Sequence, residues 1–301
     1  MQILFKSSNT SLTSTLLCSV SLLFIVNVPL SMASESVNRV NQESSLSINS
    51  LFLFGELSDS EKQWIGDRIY QNECASKVEN LTYWGKGEDF PSFGIGHFIW
   101  FPAGVQTSFH ETFPDMVSYV SKFKPPPQWL LDLSPMHSPW SNKKLFDNAR
   151  SSEQLNQLRT WLNETKVYQS EFIIKQFLQR FSNALEDNKV ARDKQYYIQL
   201  VEILLSFKKG RFAVIDYVNF KGLGNSKEQY DGQQWGLLSV LENMNLNIDV
   251  LKKMPREDIL DKFIFSAKSR LELRVQLAPK SRNEERWLKG WFVRLDSYRL
   301  D

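Results

Sequence analysis

The sequence of 301 residues predicts a mainly α fold (α+β) with one small β-hairpin. Three observations carry that prediction. Apolar residues recur at helical spacing through most of the chain beyond residue 150. A Ser/Glu capping pattern opens an amphipathic stretch at residue 58. Between Thr82 and Trp100 the pattern changes to β-branched and aromatic residues flanking the turn-forming Gly85-Lys86-Gly87.

Residues 1–33 read as a signal peptide. Lys6 is the only charge, an apolar run extends from Leu16 to Leu30, and Ser31-Met32-Ala33 offers the small residues that a signal peptidase reads. The run of about 15 residues is short against the roughly 20 of a membrane span, so cleavage after Ala33 is expected in preference to an uncleaved anchor. Cys18 lies in that run without a lipoprotein pattern, which leaves Cys74 as the only cysteine after cleavage and no internal disulfide. No later stretch is long and apolar enough to span a membrane, so the expectation is an exported protein, periplasmic or secreted.

Residues 34–57 are Ser/Asn/Gln-rich and read as a flexible leader. A domain over 58–301 follows. Ser58-Asp59-Ser60-Glu61 carries the capping box, and the helix it opens should run to about Glu73 with Trp64, Ile65 and Ile69 on its buried stripe. The hairpin comes next. Residues 101–150, with Pro125-Pro126-Pro127 and the Pro135/Pro139 pair, read as an irregular insertion or covering loop. Leu155 to Phe181 implies one long helix or two consecutive ones, and Tyr197 to Leu204 another. Further helices are expected near 212–219, 235–244, 259–275 and 284–298.

The composition excludes several classes of function. With 42% hydrophobic and 23% charged residues the chain is not disordered, and a formal net charge of +2 leaves no basic footprint for nucleic acid. The three histidines, His97, His110 and His137, lack the close spacing of a helical zinc motif. Nucleophile-elbow and phosphate-loop patterns are absent, and no metal or organic cofactor is implied. A Cys74–His pair is conceivable, but carboxylate chemistry is the main candidate.

Glu73 is the informative residue. It lies about 40° round the helix from Ile69, at the edge of the apolar stripe. Burial there should raise its pKa, as a general acid near neutral pH requires. The structural alternative is a glutamate that snorkels or pairs with an arginine. Beyond it, Ser92, Gly94 and Gly96 should share one face of a strand through Ser92-Phe93-Gly94-Ile95-Gly96-His97. Glycines on one face suit close approach by another chain or a ligand. Glu88 and Asp89 precede that strand; the alternative is a glycine-rich bend with solvated acids.

This order, with Glu73, a turn carrying acids, and then Ser92-Phe93-Gly94-Ile95-Gly96-His97, resembles the active-site region of phage-type lysozymes. A second block is similar to that family's helix with a Phe-Asn-x-Gly ending and the helix that follows it. It comprises Ala213-Val214-Ile215-Asp216-Tyr217-Val218-Asn219-Phe220-Lys221-Gly222 and then Leu237-Leu238 to Asn245. Arg286, Trp287 and Arg294 resemble its closing Arg-rich helix. Together the blocks cover about a quarter of the chain, and residues 101–210 have no counterpart. The resemblance implies a lysozyme-like helical domain with the hairpin at an active-site cleft.

It also implies hydrolysis of a peptidoglycan glycan strand, with Glu73 as general acid. Ser92 stands in place of a threonine, and the family's aspartate would fall on Lys86, so Glu88 or Asp89 must substitute. His97 matches a histidine to which no catalytic role is given. Asn219, Tyr230 and Trp235 are candidate saccharide contacts alongside Gly94 and Gly96, although Trp235 equally suits the core. The charges of Glu284-Glu285-Arg286 and Lys289 to Arg294 read most simply as a solvated helix face. Two other functions stay open: a chitosanase-like hydrolase of another amino-sugar polymer, and a non-catalytic wall-binding protein.

Overall fold

The computed structural model describes residues 57–107, 109–186, 192–224 and 229–301. The signal peptide read at 1–33 and all but the last residue of the 34–57 leader lie outside the described residues. Among the described residues no helix is long and apolar enough to cross a membrane.

The capping box forms as predicted. Ser58 Oγ accepts from the Glu61 N–H at 3.3 Å, and Glu61 Oε2 accepts from the Ser58 N–H at 3.3 Å. They open helix α1 (Asp59–Cys74), which buries Ile65 and Ile69 and leaves Trp64 half-buried. Ala75, at φ +50°, ends it.

Three two-residue strands follow, β1 (Thr82–Tyr83), β2 (Ser92–Phe93) and β3 (Phe98–Ile99), in an antiparallel sheet of order β1-β2-β3. Thr82 pairs with Phe93, Tyr83 with Ser92, and Ser92 with Ile99. The element is therefore a three-stranded meander. The strand predicted to run from Ser92 to His97 stops at Phe93, and Gly94 to His97 form the turn into β3. Gly94 at φ +74° and His97 at φ +48° account for this, because neither conformation continues a strand. Ser92, Gly94 and Gly96 consequently do not share a strand face.

Residues 101–150 are not the irregular loop predicted. They carry helices α2 (Phe113–Val120), α3 (Gln128–Leu131) and α4 (Lys143–Asn148). Two prolines open helices here, where a missing N–H costs nothing: Pro114 lies in the first turn of α2 and Pro127 caps α3, while Pro125, Pro126, Pro135 and Pro139 lie outside helices as predicted. These helices close an aromatic core with the sheet, in which the Trp100 and Phe113 rings are 4.5 Å apart and those of Phe93 and Phe113 5.1 Å apart.

The remainder is helical as expected: α5 (Glu153–Glu164), α6 (Lys166–Glu186), α7 (Lys194–Leu205), α8 (Lys208–Lys221), α9 (Leu237–Met244), α10 (Ile248–Leu251), α11 (Arg256–Leu277) and α12 (Glu285–Asp296). Helices α1 and α6 pack side by side. Gly66 permits that approach, since a Cβ there would meet Ser170 Cβ at 3.0 Å, and Ser170 Oγ donates to the Lys62 carbonyl at 2.8 Å. Helix α11 packs on both α9 and α12, which carries α12 back toward the end of α1.

Candidate functional site

Three helices and one turn meet at Glu73. Its Oε1 accepts from Arg294 Nη2 on α12 at 2.7 Å and from Asn219 Nδ2 on α8 at 3.0 Å. Its Oε2 faces His97 Nδ1 at 3.7 Å, beyond a hydrogen bond. The Glu73 side chain is 15% exposed, and no hydrogen bond to Oε2 is formed among the described residues, His97 being its charged neighbour.

Behind Glu73 the interior is fully polar-paired. Asp216 on α8 has a side chain with no exposed area and accepts from Arg294 Nε and Nη2, both at 2.8 Å. Tyr298 donates its hydroxyl to Asp216 Oδ2 at 2.7 Å, and Asn72 Nδ2 reaches Oδ1 at 3.4 Å. One guanidinium thus serves two carboxylates, in the fork geometry that arginine alone among the cations provides.

The charge balance overturns the expected pKa of Glu73. Burial pushes its carboxyl upward, as anticipated. The Arg294 charge, His97 and the hydrogen bonds from Arg294 and Asn219 outweigh that push and set it below the ordinary glutamate value. The arginine partner that was the structural alternative for Glu73 is present. It is Arg294, which was expected on a solvated face and is instead nearly buried.

The turn beside the site is built by the chain's own atoms. Ile95 N–H donates to Gln169 Oε1 at 3.0 Å, and the Gln169 amide donates to the Leu162 carbonyl at 2.6 Å and to Thr165 Oγ1 at 3.0 Å. A Cβ on Gly94 would strike Gln169 Oε1, and one on Gly96 would meet Ile173 Cδ1 and Phe98 Cζ at 3.0 Å. The close approach anticipated for a ligand at Gly94 and Gly96 is made by helix α6. Gly94→Ala should therefore cost about 1–2 kcal/mol, from the left-handed φ and the displaced buried amide, readable as a lower urea midpoint.

Cys74 follows Glu73 and is buried, with Sγ 3.8 Å from His97 Nε2 and 3.6 Å from the Asn80 carbonyl. Burial, and after it the Glu73 charge, push its thiol up to about 12. A thiol held there does not supply the thiolate that a Cys–His mechanism needs.

The other predicted residues divide into those drawn to Glu73 and those held elsewhere. Asn219 joins it. Glu88 turns its carboxylate back on its own loop, where Oε2 accepts from the Gly85 N–H at 2.8 Å while its carbonyl accepts from Trp84 Nε1 at 2.8 Å. It closes the Gly85-Lys86-Gly87 turn. Asp89 beside it is exposed, and Ser92 is buried in the central strand.

Tyr230 and Trp235 belong to a separate cluster around Glu284. Trp235 is 4% exposed and lies in the core, against the Tyr230 ring at 5.0 Å and beneath the Arg274 guanidinium at 4.5 Å. The Tyr230 hydroxyl donates to Glu284 Oε1 at 2.8 Å. Arg274 Nε and Arg282 Nε reach the same carboxylate at 2.6 and 2.9 Å. The Trp235 ring is not an open sugar platform, whereas Tyr230 is half-buried. Glu284 is buried, whereas Glu285, Arg286 and Lys289 are exposed as predicted.

Sequence reasoning missed Asp216, Tyr298 and Gln169. Asp216 left one signal, a lone acid inside the apolar run Ala213 to Val218, which demands a buried cation. Compared with known families, characterised proteins and solved structures, the chain matches none.

Proposed function

We propose that the chain is an exported lysozyme-like glycoside hydrolase that cuts the glycan strand of peptidoglycan, between N-acetylmuramic acid and N-acetylglucosamine. The observation that carries the reading is the divided Glu73 carboxylate. Oε1 is held by two donors from two helices, while Oε2 accepts no hydrogen bond among the described residues. That is the geometry of an aimed proton donor. In its acid form Glu73 gives its proton to the glycosidic oxygen as the C1–O bond breaks, and water then adds at C1.

The second carboxylate role falls to Asp89, because Glu88 is spent on the Gly85 turn. Asp89 takes the proton of the incoming water in an inverting reaction, or stabilises the oxocarbenium-like sugar, with the Ser92 hydroxyl nearby in sequence.

The direction of the Glu73 shift sets the pH dependence. A proton donor held below the ordinary glutamate value is protonated in a larger fraction as the medium becomes acid, so turnover should rise from pH 7 down toward pH 5 or below. The test is clearing of peptidoglycan in a gel over that range by the purified protein and by Glu73→Gln. Wild type should clear and the variant should fall by about 10²–10⁴-fold. Full clearing by Glu73→Gln sinks the assignment.

The same ion pair favours a second reading, a wall-binding protein without activity, since Arg294 holds Glu73 toward its charged form. In that case wild type pellets with cell walls and clears nothing at any pH.

A further inference from the structure

We propose that Asp216 is a positioning residue, which locks Arg294 from behind so that the guanidinium's remaining reach aims Glu73 and leaves the glutamate able to take a proton. The inference rests on the reading of Glu73 as the proton donor but is tested apart from it.

The geometry is one-sided. Asp216 takes two hydrogen bonds from Arg294, through Nε and Nη2, and Glu73 takes one, through Nη2 alone. Asp216 is itself fixed by Tyr298 and Asn72 and has no exposed side-chain area, so it cannot swing to solvent. The bidentate pair is the rigid unit, and Glu73 is appended to its outer end. Two carboxylates on one guanidinium leave the group one negative charge in excess, and the partly exposed Glu73 is where a proton can enter and leave.

If Asp216 were absent, the whole positive charge of Arg294 would fall on Glu73. The carboxylate would then be pinned in its ionised form and lost as a donor. Sharing the arginine therefore orients Glu73 without disarming it. The other groups facing this cluster are His97 from the turn, Cys74 on α1, the Tyr298 hydroxyl, and Arg68, whose charge acts on the Asp216 side. Among the described residues Arg294 alone contacts both acids as a cation.

Titration of the Glu73 side-chain carboxyl by carbon NMR on the full chain tests this whether or not the protein cleaves glycan. Asp216→Asn should lower the Glu73 midpoint by about one pH unit. Arg294→Lys should raise it, because one ammonium cannot fork and stays with the more buried Asp216. Each variant stands as a test if the other does not fold. A midpoint unmoved by either, or moved in the opposite direction, overturns the inference. Where wild type clears peptidoglycan, the alkaline limb of turnover, where Glu73 loses its proton, should shift to lower pH in Asp216→Asn with KM unchanged. A loss confined to KM would also overturn it. Absence of wild-type clearing together with the two midpoint shifts would defeat the hydrolase reading and leave the Asp216 role standing.

Discussion

Arg294→Leu should destabilise the protein by about 3–5 kcal/mol at neutral pH, the largest single effect expected of any substitution at the site. The reason is the fate of its partners. Asp216 has no exposed side-chain area and would keep only Tyr298 and Asn72 as donors, and Glu73 would keep only Asn219. Removing one member of a buried ion group strands the others in a medium that solvates charge poorly. Urea unfolding at pH 7 measures the loss. The double variant Arg294→Leu with Asp216→Leu should recover a large part of it, since an apolar pair replaces a charge without a partner. Equal instability of the single and double variants would mean that the arginine contributes packing and not charge.

Glu284→Ala should cost about 3 kcal/mol at neutral pH and much less in acid. Burial pushes the Glu284 carboxyl up, but hydrogen bonds from Arg274 and Tyr230 and the charge of Arg274 more than reverse it, holding the group at about 2. Its ordinary value is about 4.3. A carboxyl lowered in the folded state adds stability in full above the ordinary value, and the gain disappears as pH falls through the folded value. The window is therefore from about pH 4.3 down to about pH 2. Thermal melts of wild type and Glu284→Ala at pH 7 and pH 2.5 should show a wide gap closing to a narrow one. A gap of constant width would assign the effect to lost packing and not to charge.

The proposed activity and the stability should respond in opposite directions as the medium acidifies. Turnover through Glu73 should gain from protonation. Glu73 and Glu284, both lowered, surrender stability as the medium becomes acid.

Much of the helical layout was legible in the sequence because its signals are local. The capping box at Ser58 and the apolar stripe through Ile65 and Ile69 are short-range patterns, and both formed. Residues 101–150 misled because a proline that opens a helix looks in sequence like one that breaks it; only the helix around it tells which. The position of Glu73 at the edge of its stripe was readable, but its pKa was not. The decisive partner is 221 positions away, and a charge pattern near a chain's end gives no sign of whether it will be buried. Gly94 and Gly96 announced a close approach without saying by what. The neighbours proved to be Gln169 for Gly94 and Ile173 with Phe98 for Gly96, and the two on helix α6 lie some seventy positions further on.

The same long span has a consequence for biosynthesis. Glu73 lies on the first described helix, while Arg294 and Tyr298 lie on the last helix and the turn after it. During translation the 221 positions between them must emerge before the carboxylate has its clamp. A nascent chain halted before Arg294 carries the glutamate without that donor.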